Sequence, residues 1–298
     1  MAIAADYCTN PKEYTIDKRC YVTDEQKEQT PYNATVGLIE NDKPYCTGTI
    51  VKGNNEKLYM YTAKHCAQKS KNSAQLLDRI QIKFPNGATF SVYKNIVGDY
   101  LPDNKYGHDW AVYNVPDEYG MVAFVNPINR SLIGTSMDYD VKVIGYGLLK
   151  IMSDKEISVF KEKYVQFLNN MKEKTAKQRE EKEWELQVAQ KYDNVMLKSL
   201  FSSGGEKFVA ELKKTDSTYY HEMFHDTNLK LSECKYNVNN DTLVGCQGWG
   251  GNSGGPVFDS KDNIIAVVTT GNYDIGGKEH ATLSVVEPIN IIVNNIQK

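Results

Sequence analysis

The stretch CQGWGGNSGGPVF, residues 246–258, sets five glycines around a single serine, Ser253, with an uncharged amide, Asn252, just before it. A serine hydroxyl is a poor nucleophile until a base takes its proton. The tetrahedral oxyanion that follows needs donors aimed at it, most often backbone N–H groups. Backbone converges on such a point only where side chains leave room. Glycines before and after Ser253 meet that demand, and the N–H groups of Gly251 and Ser253 are the candidate donors. A glycine-rich hairpin turn is the plain alternative, and this stretch alone leaves it open.

Two distant stretches bear on the choice. YTAKHC (61–66) follows a strand-like run and carries His65; HDWAVY (108–113) opens another apolar run with Asp109. Taken with Gly-Asn-Ser-Gly-Gly-Pro, they resemble the trypsin/chymotrypsin-like serine endopeptidases, and the His, Asp, Ser order matches that family and differs from subtilisin-like and α/β-hydrolase orders. The resemblance covers roughly residues 32–150 and 225–298. It implies Ser253 as nucleophile, His65 as general base and then acid, and Asp109 as the group that orients His65. His108, beside Asp109, is read as structural. Thr269 matches a position where the family often has a serine bonded to the catalytic aspartate, and Thr269, Thr270 and Gly271 would offer backbone to an extended substrate.

The resemblance also implies a fold: two antiparallel six-stranded β-barrels of chymotrypsin type, with an inserted helical segment. The texture agrees. Short runs rich in Val, Ile, Thr and Tyr, such as KLYMYTA (57–63), DRIQIKF (78–84) and TFSVYKNIV (89–97), are separated by Gly, Pro and Asn, the pattern of an all-β sandwich or barrel. From Ser153 to Leu200 there is neither Gly nor Pro. Ile157, Phe160, Tyr164, Phe167 and Met171 form one helical stripe there, and Ser153 with Glu156 has the form of a capping box. Apolar positions resume at Trp184, Val188, Tyr192 and Val195. The charged stretch 172–183 is the expected turn of a helical hairpin; a single continuous helix remains open. The expected division is an N-terminal extension (1–31), a first barrel with His65 and Asp109 (32–125), and a crossover into the second barrel (126–152). The helical insertion (153–205), which the pair Gly204-Gly205 is expected to end, and the rest of the second barrel with Ser253 (206–298) complete it.

Six cysteines fall into local pairs without the two-residue spacing of zinc knuckles, which suits disulfides and an oxidising compartment, secreted or periplasmic. Six buried free thiols are the alternative. The resemblance implies Cys46–Cys66 and Cys234–Cys246, leaving Cys8–Cys20 for the extension. The opening MAIAADYC is read as a start residue placed on a mature secreted chain. A formal charge of −3 points to no charged partner, no basic patch interleaved with aromatics suggests nucleic acid, and no apolar run has the length of a membrane span. No cofactor and no metal are expected; the partner is a protein or peptide substrate.

Many family members carry an aspartate before the serine, neutralised by a new N-terminal ammonium after processing. Asn252 has no charge to neutralise, and bacterial members resembling glutamyl endopeptidases often have asparagine here; the pocket is therefore expected to form without that salt bridge. Where trypsin-like members hold a specificity aspartate this chain has Gln247, followed by Gly248 and Trp249, so preference for basic residues is not supported. Trp249 either narrows the pocket or packs in the core. His280 aligns near the far pocket wall.

Two other readings compete. A catalytically silent protease-like protein would use the helical insertion to engage a partner. HEMFH (221–225) satisfies the zinc-protease pattern with His221, Glu222 and His225, yet the continuation that supplies a third ligand is missing.

Overall fold

The computed structural model describes residues 5–53, 55–69, 75–97, 109–119, 122–127, 138–191, 203–237, 241–245, 250–273 and 282–288. The chain divides into a helical unit, residues 1–20 and 149–226, and a β-rich unit, residues 21–148 and 227–298.

A short strand β1 (Cys20–Tyr21) and a one-turn helix α1 (Asp24–Lys27) lead into a barrel of six strands: β2 (Thr35–Glu40), β3 (Lys43–Lys52), β4 (Leu58–Thr62), β5 (Arg79–Lys83), β6 (Thr89–Val97) and β7 (Ala111–Asn114). It closes in the order β2-β3-β4-β7-β6-β5. Alternation decides the faces: in β5, Ile80 and Ile82 are buried while Arg79, Gln81 and Lys83 are exposed. The β2–β3 hairpin turns on Asn41 and Asp42, both at positive φ, as a two-residue turn matched to strand twist requires. Val36, Leu38, Ile50, Met60, Ile82, Val92 and Tyr113 pack inside.

The second set comprises β8 (Asp138–Gly145), β9 (Lys230–Asn237), β10 (Thr242–Val244), β11 (Pro256–Phe258), β12 (Ile264–Tyr273) and β13 (Thr282–Pro288). All its pairings are antiparallel, and they run β8-β9-β10-β13-β12-β11 and back to β8, so these six strands also form a ring. The alternation Lys230, Ser232, Cys234, Tyr236 turns one face of β9 inward. A second cluster, with Val51, Tyr61, Trp110, Val112, Ile144, Phe258 and Val267, joins side chains from both rings. The expectation of two antiparallel barrels with an inserted helical segment is met.

In the helical unit, α2 (Asp154–Asn170) begins at Ser153, whose hydroxyl accepts from Glu156 N while Glu156 accepts from Ser153 N at 2.8 Å. Its buried stripe is Ile157, Phe160, Tyr164 and Leu168; Phe167 is half-buried and packs on Phe208. The chain turns at 171–175 into α3 (Ala176–Lys191), so a hairpin forms and a single continuous helix does not. Lys182 closes the turn on the Met171 carbonyl at 2.8 Å.

Helix continues past residue 205, in α4 (Ser203–Thr215) and α5 (Ser217–Phe224). The pair Gly204-Gly205 lies within α4 rather than ending the helical region. The reason is local: a Cβ at 204 would overlap the carboxylate of Glu185. Glu185, buried on α3, accepts from Gly204 N at 3.2 Å and from the Tyr164 hydroxyl at 2.6 Å. A carboxylate at a helix N-terminus is favourably placed, and only glycine admits it this closely.

The N-terminal segment belongs to this unit. Cys8–Cys20 closes it, and Arg19, 1% exposed, pairs with the buried Asp17 at 2.7 Å. Arg19 also donates to the carbonyls of Leu149 and Lys150, and Asp17 accepts from Met152 N. A buried ion pair is tolerated when its remaining donors and acceptors are also met, as here. Among the described residues, no helix is long and apolar enough to cross a membrane.

Candidate active site

Strand register brings the histidine and the aspartate together. Thr62, the last residue of β4, pairs with Ala111, the first of β7. The chain leaves β4 into a single 3-10 turn, Lys64–Ala67, that carries His65, and Asp109 lies two residues before β7. One Asp109 carboxylate oxygen meets His65 Nδ1 at 2.7 Å, and the other accepts the His65 backbone N–H at 2.9 Å. The carboxylate thus fixes both the ring and the backbone that carries it. The two side chains are 40% and 30% exposed, which leaves the imidazole open to solvent. The Cys46–Cys66 disulfide anchors this turn to β3. The Tyr45 hydroxyl donates to the Cys66 carbonyl at 3.1 Å; its pKa is pushed up to about 12, first by burial and then by Glu40, so it remains a donor.

Ser253 is carried on the turn before β11. Its carbonyl accepts from Thr47 N at 2.9 Å, and Cys66 Sγ lies 3.6 Å from the same oxygen, so the turn sits against β3 and the histidine turn. Ser253 Oγ faces the Thr269 carbonyl at 3.4 Å. Gly254 adopts φ +81 and bonds through its N–H to Val268 O at 2.7 Å; a Cβ there would overlap Thr47 O and Thr62 Oγ1. Gly251 adopts φ +99, where a Cβ would overlap the Tyr146 carbonyl. Such backbone is open to glycine and strained for other residues. The glycines of the motif therefore serve close backbone approach.

Asn252 is 6% exposed, and among the described residues its Oδ1 has no hydrogen-bond partner. That oxygen faces Gly145 and Gly147, where a Cβ would come within 2.7 and 2.9 Å of it. Sequence reasoning missed these two glycines and also missed Thr47. The spacing Gly-Tyr-Gly at 145–147 was the available signal for the glycines.

Among the substrate-contacting candidates, Thr269 is buried on β12, followed by Thr270 and Gly271, and beyond Val268 the pairing of that strand is with β13. Gln247, Gly248, Trp249 and His280 lie outside the described residues. Cys8–Cys20 and Cys46–Cys66 are formed; Cys234 is disulfide-bonded, while Cys246, its expected partner, lies outside the described residues.

The zinc pattern at 221–225 lies on α5 and the residue that ends it. The His221 and His225 rings pack 4.6 Å apart, and the Glu222 carboxylate is 2.8 Å from Lys150 Nζ. Among the described residues, the group of three potential ligands that does gather is Cys46, His65 and Cys66, and its two sulfurs are already bonded to each other.

Comparison with known proteins agrees with the architecture. A family model for the C-terminal domain of lysyl endopeptidase matches residues 10–97. No curated protein matches the chain. Among solved structures, a Glu endopeptidase in complex with MPD is similar over 94% of this chain and 97% of its own, at 12% identity and a TM-score of 0.50. Neuropsin, a serine protease expressed in the limbic system of mouse brain, is similar over 90% of this chain and 94% of its own, at 12% identity and a TM-score of 0.46. Two antiparallel rings of six strands, and a match to the first of these structures over nearly its whole length, give this chain the fold of the chymotrypsin-like serine proteases.

Proposed function

We propose that the chain is a secreted serine endopeptidase that hydrolyses peptide bonds through an acyl-enzyme on Ser253. His65 takes the Ser253 proton and returns it to the leaving amine. Asp109 holds the imidazole in the tautomer that exposes Nε2 and stabilises the imidazolium once formed. The N–H groups of Gly251 and Ser253 receive the oxyanion. An extended peptide lies along the Thr269–Gly271 backbone. The reaction needs no metal and no cofactor. The observation that carries this reading is the double engagement of His65 by Asp109, at 2.7 and 2.9 Å, within the barrel that also docks the Ser253 turn. The disulfides, Cys8–Cys20 and Cys46–Cys66 among them, suit an oxidising compartment.

The test is peptide-library cleavage by the wild-type chain and by Ser253→Ala. The expected loss of kcat is about a million-fold, the scale on which removal of such a serine acts. A serine-directed phosphonate should label Ser253 and abolish cleavage, whereas a chelator should leave it unchanged. Cleavage that survives Ser253→Ala, or that a chelator abolishes, overturns the reading.

A further inference from the structure

A glycine that can approach neighbouring backbone this closely is also free to rotate away from it. Gly251 is such a residue, and its N–H is one of the two proposed oxyanion donors, so something else must hold its two peptide planes. Leu148 N–H holds the first by donating to the Gly250 carbonyl at 2.8 Å. In a trans peptide the N–H points opposite to the C=O, so this bond turns the Gly251 N–H away from the 146–148 segment. The second plane is held by a side chain: the Thr47 hydroxyl donates to the Gly251 carbonyl at 2.7 Å.

We propose that Thr47 is a positioning residue for the oxyanion-binding loop, acting through its hydroxyl. Thr47 is fully buried on β3. Its Oγ1 donates to Gly251 O and accepts from Tyr146 N at 2.9 Å, so both partners fix the direction of the single hydroxyl proton. Its backbone N–H donates to the carbonyl of Ser253 at 2.9 Å, and its own carbonyl accepts from Thr62 Oγ1 at 2.7 Å. Thr62 is three residues before His65. One residue therefore links the glycine that presents the first donor, the nucleophile that presents the second, and the strand that delivers the base. Among the described residues, Asn252 Oδ1, between the two, has no hydrogen-bond partner of its own. The side chain next to the nucleophile therefore gives the loop no anchor through that oxygen, and the Thr47 hydroxyl supplies one from the opposite barrel.

This inference rests on the reading of Ser253 as nucleophile. Its test compares Thr47→Val, which keeps the shape and removes the hydroxyl, with Thr47→Ser, which keeps the hydroxyl. Steady-state kinetics are corrected for the folded fraction from circular dichroism. Thr47→Val should lower kcat at least about tenfold with KM within about twofold, since the donor it misplaces acts on the transition state. Thr47→Ser should stay within about threefold of wild type. If Thr47→Val does not fold, Thr47→Ala takes its place. A hydroxyl-free variant at wild-type kcat, or a Thr47→Ser as slow as that variant, overturns the inference. A wild-type chain without Ser253-dependent cleavage removes the protease reading itself; an active wild type with a full-rate Thr47→Val removes only this inference.

Discussion

The β-rich unit and the helical unit use the same residue, glycine, against different neighbours. In the β-rich unit, Gly251 and Gly254 lie against the carbonyls of Tyr146 and Thr47, which belong to strands or strand ends and cannot turn aside. In the helical unit, Gly204 lies against the end of a Glu185 side chain. The first arrangement registers pieces of backbone that are far apart along the chain. The second seats one buried carboxylate among neighbouring helices. Chemistry that depends on the position of N–H groups belongs in the first kind of structure, because backbone packed on backbone has few ways to relax.

Three substitutions press on this contrast. Gly254→Ala should be the most damaging, since the new methyl overlaps a carbonyl and φ is +81. A loss of about 4 kcal/mol or more is expected, together with all peptidase activity. Chemical denaturation and a cleavage assay would report it, and a folded, active variant would break the contrast. Asn252→Asp comes next. It places a carboxylate in a site that is 6% exposed, where the wild-type Oδ1 meets no hydrogen-bond donor among the described residues. An uncompensated buried charge costs about 3 kcal/mol, so a lower unfolding midpoint and reduced kcat are expected. Equal stability would mean that a cation or donor reaches residue 252. Gly204→Ala should be the mildest, because the new methyl meets the end of a side chain that can swing away, at the cost of bonds that include those to Tyr164 and Gly204. About 2 kcal/mol is expected from those lost bonds, with kcat for peptides unchanged. A cleavage defect as large as that of Gly254→Ala would show that the distinction between the units is not functional.

The strands and the first turn of α2 were legible because they depend on near neighbours: alternation for Ile80 and Ile82, and a three-residue reciprocal cap for Ser153 and Glu156. The end of the helical region was not legible. Gly204-Gly205 has the form of a helix stop, and the carboxylate that makes glycine suitable inside α4 comes from a different helix. His65, Asp109 and Ser253 stood out through their flanking motifs, and the structure brings the first two into hydrogen-bond contact. Thr47 did not stand out. In CTGTI a threonine is an ordinary strand residue, and nothing local distinguishes one whose hydroxyl faces a glycine loop from one whose hydroxyl does not. Specificity remained out of reach for a related reason: in an open cleft the preferred side chain is decided by a few loop residues, and loops vary most freely in sequence.

The hydrogen bond from Thr47 to Gly251 joins residues 204 positions apart. Chains emerge from the ribosome N-terminus first and fold region by region, and closures across such distances are slow to form. Every amino acid up to the loop must therefore have been synthesised before this bond exists, even though the histidine and its aspartate are made far earlier. On the proposed reading, the order of the residues thus imposes a delay between the making of the base and the competence of the site.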